Sequence, residues 1–416
     1  MKALRIAAMV LCAGLLAVAS VLVVGCKGKP YRPEAPIMPA RPNYNRPLAP
    51  GEMALRLVTD PNDIPDFTAA LADTANLRKA IDCSLDYLDH PSSSTFYPYL
   101  DITHDQVVQS LRAFVALLDS GKTPQEMNAE IRQKFDVYTS KGCDDQGTVL
   151  FTGYYTPIFD ATRERNESFK YPLYRMPDNL LKSPDGQTLG LRDKNNQVVP
   201  CPTRKEIEST GMFAGNEIFW LNDPFAAYIA QLQGSARLRL PDGKMITVGY
   251  VANNGQEYQS VADALIADGK IRREDLSMQN VWNYFKAHPA ELQEYTWRNP
   301  RYVFFGEMTG NPRGCLNQPV TPMRSIATDK EVFPRAALAF LRTRLPKKVG
   351  AGIAISPYEG FALDQDAGGA IRAAGRSDIY MGIGDDAASL AGGTYQEGRL
   401  YYIFIKPSAI TQPPVK

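Results

Sequence analysis

Hydrophobic and polar positions divide the chain into zones of different period. Residues 6–24 form an almost unbroken apolar run behind Lys2 and Arg5, and the pattern then lapses until about residue 52. Beyond it, Leu77, Ile81, Leu85 and Leu88 recur at i, i+4, i+8 and i+11, which predicts an amphipathic helix. Thr103 and Gln106 have capping-box spacing ahead of Val107, Val108, Leu111, Phe114, Val115 and Leu118, with Gly121 as the stop. Thr123, Pro124 and Glu126 open another helix, striped by Met127, Ile131 and Phe135. Residues 148–157 (TVLFTGYYTP) are β-branched and aromatic, a strand with a glycine where backbone must turn or approach closely. Residues 158–200 carry little regular pattern and read as polar loop. Residues 237–252 predict a hairpin around Pro241-Asp242-Gly243, with Ile246, Val248 and Tyr250 alternating on the return. Residues 261–266 and 281–292 read as helices, the second capped by Ser277, and 302–305 as a short buried strand. Short strands then run to Lys406, the last over 400–405. The pattern predicts a mainly β fold with a helical N-terminal segment, interrupted by an insertion.

The leading run has the charged start, apolar middle and small residue of a secretory signal, and is also long enough to span a bilayer uncleaved. Val23-Val24-Gly25-Cys26 resembles a bacterial lipobox. That resemblance implies a signal over 1–25 and acylation of Cys26, whose lipid would tie the chain to a membrane. Pro30, Pro33, Pro36, Pro39 and Pro42 then recur every third residue, so 26–52 reads as a polyproline II tether or an ordinary linker. At about 3.1 Å per residue its reach is on the order of 80 Å. Lys27, Lys29, Arg32, Arg41 and Arg46 against Glu34 suit an anionic lipid surface.

The residues from 52 onward suffice for two domains, and a net charge of +1 gives no argument for a nucleic-acid partner. Outside the leader and Cys26 stand Cys83, Cys143, Cys201 and Cys315, with no C-x-x-C pair. Free thiols or up to two disulfides are compatible with that spacing. The 3 histidines, His90, His104 and His288, form no ligand set, and G-x-S-x-G is absent. No metal or organic cofactor is implied. Carboxylates and the 21 tyrosines remain as catalytic and binding material. Residues 361–386 (FALDQDAGGAIRAAGRSDIYMGIGDD) set five aspartates among glycines and apolar residues with two arginines. Such a segment can be a set of turns or a calcium loop, or it can bury a carboxylate and raise its pKa into the range of a proton donor. Export, tethering, carboxylates and aromatic rings that stack on sugars describe an enzyme on carbohydrate in the cell envelope.

Residues 152–157 (TGYYTP), the Q-x-Q-G-S element at Gln231–Ser235, Val248-Gly249-Tyr250, Asn254-Gly255 and residues 319–327 (PVTPMRSIA) occur in that order. With Asp366, Asp378 and Asp385, they resemble the membrane-bound lytic murein transglycosylase A family, whose terminal "3D" module carries three aspartates. The resemblance covers roughly the last two-thirds of the chain. It implies a double-psi β-barrel, similar to barwin, built from residues 53–157 and 302–408, with the 3D module over about 320–405. A β-rich second domain would be inserted over 158–301, with a substrate groove between the two. It further implies cleavage of the MurNAc-β-1,4-GlcNAc bond with formation of a 1,6-anhydro ring, Asp378 acting as the single acid and then base. Asp366 and Asp385 would support loops, and Tyr154, Tyr155, Gln233, Gly234 and Ser235 would contact glycan. The implied partners are peptidoglycan strands, the outer membrane through Cys26 on its periplasmic side, and other cell-wall enzymes. A hydrolase on the same barrel, with Asp364, Asp366 or Asp385 activating water, and a non-catalytic wall-binding lipoprotein are the alternatives.

Overall fold

The computed structural model describes residues 42–183, 186–350 and 352–410. The expected signal, Cys26 and the first part of the tether lie outside these residues, and among the described residues no helix is long and apolar enough to cross a membrane. From Pro42 the end of the expected tether lies against folded chain. Tyr44 Oη donates to Glu397 (2.6 Å), and Arg46 reaches the Cys143 carbonyl (2.5 Å) and Asp145 (2.6 Å).

Strand β1 (Leu55–Leu57) precedes helices Leu77–Leu88, His104–Leu118 and Pro124–Lys134, then β2 (Phe135–Ser140) and β3 (Val149–Thr156). Both halves of the Thr123–Glu126 capping box form. Thr103 accepts from the Gln106 amide, but the Gln106 side chain leaves its helix to donate to the Ile405 carbonyl (2.8 Å), tying helix to sheet. Phe135, expected at the end of a helical stripe, instead opens β2, because its backbone pairs with Ile405 across the sheet.

The stretch expected to be loop holds β4 (Ile158–Thr162), β5 (Tyr171–Tyr174), β6 (Leu180–Lys182), β7 (Thr188–Arg192) and β8 (Val198–Val199). These strands run two to five residues, too short to show a period in sequence. Then come β9 (Glu217–Leu221), helix Pro224–Gln233, β10 (Ser235–Arg239), β11 (Met245–Asn253) and, after three short helices, β12 (Val303–Met308). They form a six-stranded sheet, β12-β11-β10-β4-β9-β5, and a three-stranded one, β6-β7-β8. Phe219, Leu221, Leu238, Val248 and Phe305 fill a core of their own.

The chain completes its second β system with β13 (Ser325–Ala327), β14 (Leu338–Val349), β15 (Gly352–Asp366), β16 (Arg376–Ile383), helix Asp385–Gly393 and β17 (Tyr395–Ile405). The pairing β17-β14-β15-β13-β16-β3 returns to β17, so six strands close a barrel and leave no open edge between them. The β13–β15 and β16–β3 pairs are parallel, the others antiparallel. Leu77, Ile81 and Phe114 bring the helical stripes onto this barrel, where Phe67, Phe340 and Phe361 cluster with Phe114 at centroid spacings of 4.8–5.7 Å. Cys83, Cys143, Cys201 and Cys315 are free thiols, the first three buried.

Candidate active site

Parallel pairing of β16 with β3 sets Asp378 opposite Thr152 and Tyr380 opposite Tyr154, while β13 places Ala327 on the other side of Asp378. Asp378 is thus held by backbone on both flanks. Its Oδ1 is sealed from solvent and meets no hydrogen-bond partner among the described residues. Arg376 Nε and Ser377 Oγ share that condition, so three consecutive residues each carry a buried polar atom with its bonding unmet. Groups of this kind are few in folded chains, and a catalytic role or a bound water accounts for many of them. Burial pushes the Asp378 carboxyl up to about 6. The Arg376 charge and the Thr152 hydroxyl pull it down by less, and Asp366 adds to the rise. The guanidinium is also engaged elsewhere: Arg376 donates to the Ala370 carbonyl (2.7 Å) and the Thr152 hydroxyl (3.4 Å) and makes no ion pair with Asp378.

Asp366, at the end of β15, is saturated. Its Oδ2 accepts from Tyr154 Oη (2.7 Å) and its Oδ1 from the backbone amides of Cys315 (2.9 Å) and Ala367 (2.8 Å). Burial raises its pKa in spite of these bonds, and together with the Asp366 charge it raises the Tyr154 phenol too. Tyr154 packs on Tyr380 at 5.2 Å between centroids. Asp364, two residues earlier, is fully buried; it pairs with Lys330 and accepts from Thr328 (2.8 Å) and Tyr402 (2.7 Å).

The remaining expected residues mark where the two β systems join. Thr156 Oγ1 lies 3.0 Å from Ser235 Oγ and 3.1 Å from Tyr380 Oη. Gln233 Oε1 accepts the Tyr155 amide (3.1 Å), and Gly234 takes the left-handed conformation (φ 72°) that ends its helix and starts β10. Gln231 accepts from the buried Arg204 (2.9 Å) and from the Val303 amide (3.2 Å). The structure therefore brings Asp378, Asp366 and Tyr154 together and puts Tyr155, Gln233, Gly234 and Ser235 at the joint beside them. Asp385 is exposed in the first turn of its helix, with no side-chain hydrogen bond among the described residues, yet close enough to Tyr155 that its charge adds to the burial that raises that phenol. Thr152 and Arg376 were not expected; both were visible as part of TGYYTP and as one of the two cations in the aspartate-rich segment.

Comparison with known proteins adds to this geometry. The MltA specific insert domain matches residues 150–306 and the 3D domain matches residues 324–404. Membrane-bound lytic murein transglycosylase A of Escherichia coli (strain K12) is 31% identical over 278 residues, 66% of this chain and 70% of that protein. The homolog from Buchnera aphidicola subsp. Schizaphis graminum (strain Sg) is 30% identical over 289 residues, 68% of this chain and 74% of its own length. Among solved structures, membrane-bound lytic murein transglycosylase from Agrobacterium tumefaciens shares the fold with a TM-score of 0.71 at 23% identity, covering 86% of this chain and 99% of that one. E. coli MltA with bound chitohexaose gives a TM-score of 0.62 at 25% identity, covering 87% and 99%.

Proposed function

Because this chain belongs to the membrane-bound lytic murein transglycosylase A family, we propose that it cleaves peptidoglycan strands with Asp378 as its one catalytic acid. The activity is that of a lytic murein transglycosylase, a lyase on peptidoglycan, and the relative solved with chitohexaose supports a glycan substrate. The observation that carries the assignment of Asp378 is its buried, unpartnered carboxyl oxygen at a pKa of about 6.

Glycosidases ordinarily use two carboxylates, one as acid and one as nucleophile or base. Here one suffices. Asp378 gives its proton to the glycosidic oxygen as the C1–O bond breaks, and the C6 hydroxyl of the same muramyl residue bonds to C1. The hydroxyl proton passes to the Asp378 carboxylate, so the acid is restored and no water is consumed. An intramolecular hydroxyl acts at an effective concentration that free water cannot match. Tyr154, oriented by Asp366, and Tyr155, Gln233, Gly234 and Ser235 supply contacts to the sugars in a groove between a double-psi barrel and the inserted domain. Asp385 supports the turn after β16 through its negative charge in the first turn of the following helix, not through a hydrogen bond. Cys26 carries the lipid anchor, which holds the enzyme on the periplasmic face of the outer membrane.

Digestion of purified peptidoglycan by wild type and Asp378→Asn, read by mass spectrometry, tests this. Anhydro-muramyl ends from the wild type and none from the variant are expected. Reducing ends would favour a hydrolase, and no products from either a wall-binding lipoprotein. Because the acid must start protonated, kcat/KM should fall about tenfold per pH unit above about pH 6. A rate flat from pH 5 to 8 would exclude Asp378 as the donor.

A further inference from the structure

Three arginines gather around the turn between β15 and β16, none of them ion-paired, although Asp378 feels the charge of Arg376. Arg301, on the approach to β12, donates to the Gln256 carbonyl (3.1 Å), and its Nε lies 3.2 Å from where a Cβ on Gly369 would sit. Arg376 holds the next residue of that turn through the Ala370 carbonyl (2.7 Å), and its Nε is sealed and unpartnered. Arg372, two residues beyond Ala370, is exposed. None of the three has a carboxylate within ion-pair distance among the described residues, although twenty ion pairs form elsewhere. Burial first, and the Arg372 charge in smaller part, press the Arg301 guanidinium below its ordinary value against the opposing pull of Tyr250. Like charges assembled around a Gly-rich turn repel one another, and an arriving anion relieves that repulsion.

We infer that Arg301, Arg372 and Arg376 form a carboxylate subsite that receives the stem peptide of the muramyl residue being cleaved. The inference rests on the transglycosylase reading and deepens it. The bond is cut at a muramyl residue, whose lactyl ether carries the peptide, so the peptide leaves the sugar close to Asp378. Arg376 stands two residues from Asp378 on the same strand. Planar guanidinium forks suit the free carboxylates of such a peptide better than point charges do.

The test compares kcat/KM on glycan strands bearing stem peptides with that on strands stripped of them. Wild type should prefer the peptide-bearing strands about tenfold, one good charge-assisted contact. In Arg301→Gln/Arg372→Gln that ratio should fall toward one, and in Arg301→Lys/Arg372→Lys it should fall less, because the charge is kept while the fork is lost. Wild type should also lose its preference when the stem carboxylates are converted to neutral methylamides, an arm that needs no variant to fold. An unchanged ratio in the glutamine variant, or equal preference for blocked stems, overturns the subsite. Absence of anhydro ends on either substrate would instead remove the transglycosylase reading beneath it.

Discussion

The end of β15 and the start of β16 are three-residue stretches of similar polarity, Asp364-Gln365-Asp366 and Arg376-Ser377-Asp378, and they treat their polar atoms in opposite ways. In the first, every side chain is answered. Asp364 has Lys330, Thr328 and Tyr402; Gln365 accepts from Ser325 (2.6 Å) and donates to the Ala80 carbonyl (2.7 Å) and Ser84 (3.0 Å); Asp366 has Tyr154 and two backbone amides. In the second, each residue keeps one sealed atom without a partner among the described residues. Burial raises all three aspartates, so a shifted pKa does not distinguish them. Hydrogen bonding does: Asp364 and Asp366 commit both oxygens to protein partners and hold strands and loops in place, whereas Asp378 Oδ1 has no partner among the described residues.

The largest expected effect separates the two carboxyls by rate. Asp378→Asn should lower the initial rate of anhydro-product formation by about 10³-fold or more, the scale of a lost general acid. Asp366→Asn keeps the shape of the Tyr154 bond and should cost about tenfold, through orientation alone. Equal losses would erase the distinction between the stretches.

Next in size is the stability that the saturated stretch supplies. Lys330→Met strands a fully buried carboxylate and should cost about 3 kcal/mol or more at neutral pH, read by urea unfolding. The loss should shrink near pH 4.5, because burial already raises the Asp364 pKa and the orphaned group then takes up a proton. A variant as stable as wild type at pH 7.5 would mean that the first stretch is not the rigid one.

This contrast was only half legible in the sequence. The aspartate-rich segment, the helical stripes, the Thr123–Glu126 capping box and the 237–252 hairpin are periodic or local signals, and the structure carries them, whereas the Thr103–Gln106 box forms only its Thr103 half. The five short strands of residues 158–200 left no period, and the helix Asp385–Gly393 was hidden in a run read as strands and turns. Saturation is less legible still. Whether Asp366 or Asp378 has partners depends on Tyr154, 212 residues away from Asp366, and on a register between β3 and β16 set by barrel closure. No spacing within the segment encodes that register.

A third measurement reads the poise of Asp378 as stability. Its folded pKa is raised from 3.8 to about 6, so the folded state holds the proton more tightly than the unfolded chain does. The associated stability is complete below about pH 4 and is lost as pH rises through 6. Asp378→Asn removes that dependence. The variant should therefore be about 1–3 kcal/mol more stable than wild type at pH 8 and gain nothing near pH 4. A gain of the same size at both values would point to packing instead of charge.

The smallest effect concerns what lies behind β16. The Tyr44 carbonyl sits 2.4 Å from where a Cβ on Gly375 would be, so the end of the tether occupies the space that glycine leaves, one residue before Arg376. Tyr44→Phe removes only the bond to Glu397 and should cost about 1 kcal/mol or less. Anhydro-product kcat/KM should stay within about twofold, because the pKa of Asp378 follows from burial, Arg376, Thr152 and Asp366, none of which Tyr44 bonds. A tenfold drop would relocate the cause. The setting of Asp378 would then depend on a docked tether, and the difference between the two stretches would belong to the tether as much as to the barrel.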